Sequence, residues 1–383
     1  MFNMNKVHFE KAISLAKKRV GFTSPNPTVA AVIVKGDKIV AEGVHFKAGE
    51  PHAEVLAIKS LMDKSGLVYT DLEPTLFKNA ELYVTLEPCF HSGLTPPCVD
   101  LVIRAGFKKV YVGMLDPFSK VNGRSVRAMK KAGINVEVLP INSPVSKSIR
   151  DLNQSFIKWA QTGMPYVTLK AGMSLDGKIA TSGGESKWIT SEKARKDARM
   201  ERSLCDAVLV GAGTVRADDC ELAAHGKFKS KKLFRCILGR KLDLPLKRKV
   251  FRDPNVIYFV QDLGSKKNQE KYKNAGVVIK KISDGAVGIR QLLKYLGKKA
   301  VQSLFVEGGS TVHGLFFDTT LKGKNIMDRA LFYVSPLIIG GQKSLTVVGG
   351  EGVLKLSKAV HLENLSVSTI TDDLKIEGFL STY

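Results

Sequence analysis

The sequence predicts an α/β protein of two layered domains, and three observations carry that expectation. Apolar β-branched runs alternate with stretches of helical apolar spacing in both halves of the chain. At 383 residues the chain exceeds what one hydrophobic core normally serves, so two cores are expected. A connecting helix and linker over 146–165, in which Gly163-Met164-Pro165 stops the helix, separates the two runs and sets domains at 1–145 and 166–383.

In the first half, Phe9, Ile13, Leu15 and Ala16 lie at roughly helical spacing among charged residues, and Thr23-Ser24-Pro25-Asn26-Pro27 breaks that helix. Val29 to Val34, a turn at Gly36-Asp37, and Ile39 to Val44 read as a hairpin. Val55, Leu56, Ile58, Leu61 and Met62 mark a helix whose first turn holds His52 and Glu54. A strand at Glu81 to Thr85 delivers Glu87-Pro88-Cys89, and Cys98 opens another helix. Strand Lys109 to Val112, a helix over Arg124 to Ala132 and strand Asn135 to Leu139 complete the pattern.

The second half opens with strand Tyr166 to Ala171. Further strands are expected at Ala207 to Val210, Arg235 to Leu238, Val256 to Val260, Val277 to Lys280, Ser303 to Val306, Arg329 to Val334 and Leu365 to Ile370. Lys227 to Lys232 reads as a charged insertion.

Composition narrows the function classes. Five cysteines scattered over a long chain do not form a disulfide framework; Cys205 and Cys236 read as small apolar core residues, and Cys220 has no clear placement. No apolar run nears the ~20 residues of a membrane span. The N-terminal stretch is amphipathic and not an apolar signal core, so a cytoplasmic protein is expected. The net charge of +23 is spread over both halves without an arginine-rich tract interleaved with aromatics. It reads as a lysine-rich surface that attracts phosphorylated metabolites, with nucleic-acid binding as the lesser alternative.

The chemistry concentrates in two short stretches. His52-Ala53-Glu54 supplies an imidazole and a carboxylate, and Pro88-Cys89 with Cys98 supplies two thiols. Three protein ligands leave a fourth zinc position for water, the catalytic arrangement, while a nearby glutamate moves protons. His-x-Glu followed by Pro-Cys and a second Cys is the signature of zinc deaminases, although here eight residues separate the cysteines. A structural site with His91 as a fourth ligand is the alternative.

The strings Pro25-Asn26-Pro27, Gly43-x-His45, Ala48-Gly49-x-Pro51-His52-Ala53-Glu54 and Thr85-Leu86-Glu87-Pro88-Cys89-x-His91-x-Gly93-x-Thr95-Pro96-Pro97-Cys98 resemble the RibD family of bifunctional riboflavin-biosynthesis deaminase/reductases, in which this spacer is normal. The resemblance implies a cytidine-deaminase-like three-layer N-terminal domain that deaminates a diaminopyrimidinone ribosyl phosphate. In it Zn2+ is held by His52, Cys89 and Cys98, Glu54 is the proton shuttle, and Asn26, His45 and His91 line the substrate pocket.

The resemblance continues through Leu169-Lys170-x-Gly172-x-Ser174-Leu175-Asp176-Gly177-Lys178, Gly184-Glu185-Ser186-x-Trp188-Ile189-Thr190-Ser191, Gly213-Thr214-Val215-x-Ala217-Asp218-Asp219 and Val306-Glu307-Gly308-Gly309. These are similar to the family's reductase domain, which implies a dihydrofolate-reductase-like fold that uses NADPH to open and reduce the ribose. Carried over by position, Gly172, Trp188, Thr214, Asp218, Gly309, Ser310, Thr311, Val312, His313, Gly314 and Leu315 contact NADPH. Ser186, Arg202, Leu222, His225 and Glu307 contact substrate, and Lys170 and Asp218 are the polar groups nearest the reacting ribose. A homodimer or tetramer is also implied.

Independently of the resemblance, Gly211-Ala212-Gly213-Thr214 and Gly308-Gly309-Ser310-Thr311 each follow an apolar strand, and glycine turns opening helices offer N–H groups to anions. The third glycine of a dinucleotide fingerprint is absent at Arg216. Trp188 also reads as a core aromatic, and Lys170 as a solvated strand-end lysine.

Three departures from the family pattern stand out: Leu94 where Lys or Arg is usual, His225 where a substrate-binding Arg is usual, and the pair Gly239-Arg240 where Asp-Ser is usual, near the cofactor's adenosine side. Leu94 cannot offer a guanidinium's fork to phosphate, and His225 mimics its charge only when protonated. Either lysines such as Lys47 and Lys227 compensate, or the substrate is shifted. The other function classes left open are a deaminase with a drifted second domain and an RNA-editing deaminase.

Overall fold

The structure, a computed structural model, describes residues 2–68, 72–90, 96–118, 121–323, 326–380 and 383. The chain forms two compact units, Met1–Thr162 with Tyr383 and Gly163–Thr382.

The first unit is a five-stranded sheet between two helical layers. β1 (Ala30–Lys35) pairs antiparallel with β2 (Lys38–Val44) through the expected hairpin, where Gly36 takes the left-handed conformation at φ 59°. β3 (Ala80–Val84) pairs antiparallel with β1 and parallel with β4 (Lys109–Val112), and β4 pairs parallel with β5 (Asn135–Val138), giving the order β2-β1-β3-β4-β5. β1 lies inside the sheet, which explains why its Ala-Ala-Val-Ile-Val run is apolar on both faces. α1 (Phe2–Lys17) packs with α5 (Pro144–Thr162); α2 (Ala53–Lys64), α3 (Cys98–Ala105) and α4 (Arg124–Lys131) form the other layer.

Of the 146–165 stretch expected as a connector, residues 146–162 belong to this unit as part of α5, and the boundary falls at 162/163. Its Ile149, Phe156 and Ile157 are buried in the first core. Its Asn153 accepts from the Thr28 N–H at 2.8 Å and donates to the Thr28 carbonyl at 3.1 Å, anchoring the loop that carries Asn26.

The second unit is a nine-stranded sheet. Its strands are β6 (Tyr166–Ser174), β7 (Ala207–Gly211), β8 (Phe234–Lys241), β9 (Val256–Asp262), β10 (Val278–Lys281), β11 (Ser303–Val306), β12 (Arg329–Ser335), β13 (Glu363–Ile370) and β14 (Asp373–Phe379). They run in the order β10-β9-β8-β7-β11-β6-β12-β14-β13, parallel up to β12 and antiparallel beyond it. The helices are α6 (Glu192–Leu204), α7 (Ala212–Asp218), α8 (Lys266–Asn274), α9 (Gly285–Lys298) and α10 (Ser310–Leu321). Alternation along β7 splits the core: Ala207 and Leu209 pack in the cluster containing α9 and α10, whereas Val208 and Val210 pack with Val215 and Tyr272.

Two expectations fail here. β14 was not foreseen, because Lys375 and Glu377 occupy positions where apolar residues would mark a strand. Those charges are tied into a network in which Lys375 pairs with Asp197 and Glu201, and Arg329 pairs with Glu201 and Glu377. Lys227 to Lys232 is not an insertion standing off the surface: Phe228 is buried, and Lys231 donates to the Leu204 carbonyl at 2.9 Å.

Candidate metal centre and reductase cleft

Two helix starts and one strand end assemble the metal centre. His52, extended at φ −75° and ψ 166°, is the residue before α2, and Cys98 is the first residue of α3. Cys89 lies in the segment that leaves β3. β2 approaches α2 so closely that a Cβ on Gly43 would lie 2.1 Å from the Ala53 carbonyl oxygen, so only glycine lets this helix start settle here.

His52 Nδ1 stands 3.1 Å from Cys98 Sγ and 3.6 Å from Cys89 Sγ, and the three donor atoms lie within 4.8 Å of one another. Zn–N and Zn–S bonds of about 2.0 and 2.3 Å in a tetrahedron set donors roughly 3.5 Å apart, so the triangle fits zinc. The Cys98 amide donates to Cys89 Sγ at 3.2 Å, a helix-start N–H aimed at a thiolate. Hydrogen bonding with the Cys98 thiol holds Cys89 down to about 4, and the same contact pushes Cys98 well up. A thiolate and a thiol crowded against an imidazole are relieved by a cation.

Glu54, in the first turn of α2, is buried, and burial foremost, with the Cys89 charge second, raises its carboxyl to about 7. Such a group exchanges protons near neutral pH. His45 is also buried, and burial lowers its pKa. Its Nδ1 is 3.1 Å from the Pro51 carbonyl and its Nε2 is 3.0 Å from Asn26 Nδ2. The neutral tautomer with the proton on Nδ1 satisfies both contacts. The His45 and His52 rings meet edge-on at 5.2 Å. Asn26, His45, His52, Glu54, Cys89 and Cys98 are thus neighbours through these elements, whereas His91 and Leu94 lie outside the described residues.

Glu87 has a role that reading the sequence did not reveal. Its buried carboxylate accepts from the amides of Asp116, Gly123, Ser125 and Val126 at 2.9–3.4 Å, while Ser125 Oγ donates to the Pro88 carbonyl at 2.6 Å. Glu87 and Ser125 therefore clamp the strand end that presents Cys89. The Glu-Pro-Cys string was visible, but its amide partners were not.

In the second unit a cavity of about 1400 Å³ opens at the C-terminal ends of the parallel strands. That exceeds the ~300–1,000 Å³ of a typical small-ligand pocket and leaves room for a dinucleotide with a second ligand. Gly211 and Gly309 immediately precede α7 and α10, neither with a side-chain cap; Gly211 ends β7 and Gly309 follows the neighbouring strand β11. A Cβ on Gly309 would come within 4.0 Å of Thr214 Oγ1, so the two glycine turns adjoin. The uncapped start of α10 suits a pyrophosphate, and these residues fit the cofactor.

Gly172, Thr214 and Asp218 line this cavity, as do Gly309, Ser310, Thr311, Val312 and Leu315. Two residues of the carried-over run do not. His313 is fully buried, with Nδ1 3.0 Å from the Val347 carbonyl, and a Cβ on Gly314 would lie 2.5 Å from the Gly349 carbonyl carbon. They point from α10 to the 347–350 segment, because consecutive helix residues cannot all face one ligand. Trp188 is 66% exposed and lines the cavity, with the Arg195 guanidinium 4.1 Å from its ring centre, which removes the core-aromatic alternative. Asp218 pairs with Lys187 at 3.1 Å.

Ser186, Leu222 and His225 are also on the lining. Arg202 Nη1 reaches the Glu307 carboxylate at 3.2 Å, and Nη2 donates to the Ala223 carbonyl at 3.0 Å. Lys170 is not a solvated strand-end lysine: it lines the cavity with Nζ 5.8 Å from the Tyr333 ring centre, and burial lowers its pKa. Lys227, offered as a phosphate-binding substitute, does not line the cavity; its Nζ lies over the Phe228 ring at 5.1 Å.

Comparison with known proteins finds a match for each unit. Residues 3–114 match the cytidine and deoxycytidylate deaminase zinc-binding region, and residues 165–376 match the RibD C-terminal domain. The riboflavin biosynthesis protein RibD of Bacillus amyloliquefaciens is 37% identical over 376 residues, covering 97% of this chain and 95% of that protein. Its counterpart in Aquifex aeolicus is 37% identical, covering 97% and 98%. Acinetobacter baumannii RibD superposes with a TM-score of 0.85 at 33% identity, covering 99% of each chain. The Thermotoga maritima diaminohydroxyphosphoribosylaminopyrimidine deaminase/5-amino-6-(5-phosphoribosylamino)uracil reductase gives 0.83 at 35%, covering 98% and 99%. With a zinc-deaminase centre in one unit, a cofactor cleft in the other and full-length relatives that combine both, the chain belongs to the RibD family of bifunctional riboflavin-biosynthesis deaminase/reductases.

Proposed function

We propose that the first unit hydrolytically deaminates 2,5-diamino-6-ribosylamino-pyrimidinone 5'-phosphate and that the second reduces the ribosyl group of the product to a ribityl chain. The observation that carries this reading is the pairing of the His52–Cys89–Cys98 donor triangle, beside buried Glu54, with a glycine-turn cleft in the same chain.

His52, Cys89 and Cys98 would hold zinc, which when bound would supply Lewis acidity to lower the pKa of water towards neutrality. Glu54 carries the protons: its carboxylate takes one from the attacking water and gives it to the pyrimidine ring nitrogen, then moves the remaining hydroxyl proton to the departing ammonia. Asn26 and His45, locked together at 3.0 Å, present a fixed polar edge to the base. His91 is assigned to the same pocket by resemblance alone.

NADPH supplies the hydride for the second reaction. Thr214 and the α10 amides over Gly309–Val312 would hold its phosphates, while Gly172 and Leu315 shape the wall and Trp188 stacks with Arg195 at the rim. Arg202 and Glu307, joined as an ion pair, orient the substrate beside Ser186, Leu222 and His225. Lys170, whose ammonium is made more acidic by burial, donates a proton to the ribose ring oxygen as the ring opens, and Asp218 holds Lys187 at the rim. The intact cleft and the Arg202–Glu307 pair favour two activities over a deaminase with a drifted second domain.

Among the described residues no helix is long and apolar enough to cross a membrane, and all five cysteines are free; we place the enzyme in the cytoplasm. We also infer a homo-oligomer, because β13 is a sheet edge with Leu365 and Val367 more than half exposed. Light scattering on the purified chain should give a mass above the monomer's; a monomer at micromolar concentration contradicts this.

Glu54→Gln tests the deaminase assignment. Ammonia release should fall by about 10²–10⁴-fold, with zinc content unchanged by metal analysis. Ammonia release at the wild-type rate sinks the assigned proton shuttle.

A further inference from the structure

The cleft wall formed by α6 carries more positive charge than its carboxylates neutralise. Arg195, Arg199 and Arg202 follow one another at spacings of four and three residues, so they share one stripe of the helix, and all three line the cavity. Arg195 is occupied with the Trp188 ring and the Thr190 carbonyl. Arg202 is occupied with Glu307 and the Ala223 carbonyl. Across the cleft, Lys187 pairs with Asp218 and Arg216 with Asp243. Among the described residues, the Arg199 guanidinium has no hydrogen bond, ion pair or ring contact.

Like charges one helical turn apart repel. A stripe of three guanidiniums with an unpaired middle member is therefore suited to an anion that enters the cleft. His225 sits on the same wall and cannot supply the missing charge: burial, then the charges of Arg202 and Arg199, lower its pKa and leave it neutral near pH 7. Arg199 remains charged at any physiological pH and offers the planar fork that matches phosphate oxygens.

We propose that Arg199 recognises the substrate phosphate in the reductase half, its free guanidinium taking the role that an arginine at position 225 would otherwise fill. The inference rests on the reading that the substrate is a ribosyl phosphate. It also explains how this chain keeps a cationic end to the cleft although His225 stands there and Lys227 faces elsewhere.

The test measures NADPH oxidation against the deaminated ribosyl phosphate and against the same compound stripped of its phosphate, for wild type, Arg199→Ala and Arg199→Lys. NADPH binding, followed by fluorescence, reports whether each variant is folded. Wild type should favour the phosphorylated compound in kcat/KM. Arg199→Ala should lose about tenfold or more of that preference, chiefly through KM, as expected for a charge-assisted contact, and Arg199→Lys should recover part of it. If wild type discriminates and Arg199→Ala, still binding NADPH, discriminates equally, Arg199 is not the phosphate residue and the substrate reading stands. If wild type itself does not discriminate, the ribosyl-phosphate reading fails and the assignment of Arg199 fails with it.

Discussion

At the scale of single residues, the metal centre depends on side chains that bind no metal. Glu87 places one carboxylate against four backbone amides and thereby fixes the strand end bearing Cys89. Glu87→Gln keeps the shape but turns an N–H-bearing amide group towards those donors, leaving at least one buried N–H unpaired at a cost of about 1–3 kcal/mol. Zinc affinity should weaken by roughly 10–100-fold, the scale seen when groups supporting a ligand are altered. Competition titration against a chromophoric chelator measures it, and unchanged affinity would show that Cys89 holds its place without Glu87. His52, Glu54, Cys89 and Cys98 were legible in the sequence because zinc chemistry constrains residue type and short spacing together. Glu87 and Arg199 were not, because their meaning depends on Asp116, Gly123 and Ser125 in one case and on His225 and Glu307 in the other, all remote in the chain.

At the scale of elements, hydrophobic periodicity located most strands to within a residue or two, and its failures share a cause. α5 was visible as a helix but not as a member of the first unit, since its allegiance shows only in contacts remote in the chain: the burial of Ile149, Phe156 and Ile157 in the first core and the bonds of Asn153 to Thr28. β14 was missed because Lys375 and Glu377 are satisfied by ion pairs and not by an apolar face. α10 was read as a continuous cofactor-binding run, yet its period turns His313 and Gly314 inward. The consequence for His313 is a pH dependence. Burial depresses its pKa below 6.5, so its contribution to stability is complete above that value and declines as pH falls through it, where the unfolded chain takes up the proton first. The difference in urea midpoint between wild type and His313→Leu should therefore shrink from about pH 8 to about pH 5, the range of histidine titration. A constant difference over that range would mean that the fold does not shift the His313 pKa, and a difference that grows as pH falls would mean that the fold favours the protonated ring.

At the scale of the whole molecule, the two units divide one chemical sequence: an amine is replaced by oxygen, and a sugar is then opened and reduced. The chain's excess of 59 basic over 36 acidic residues suits both steps, since a positive surface draws in a phosphorylated substrate and a phosphorylated cofactor alike. The most direct test is the product mass after the purified, zinc-loaded chain is incubated with the diaminopyrimidinone ribosyl phosphate, with and without NADPH. Without NADPH the product should show an amine exchanged for oxygen, and with NADPH the same exchange plus two added hydrogens. Deamination that stops there in the presence of NADPH, or reduction with no deamination, would contradict a two-step enzyme.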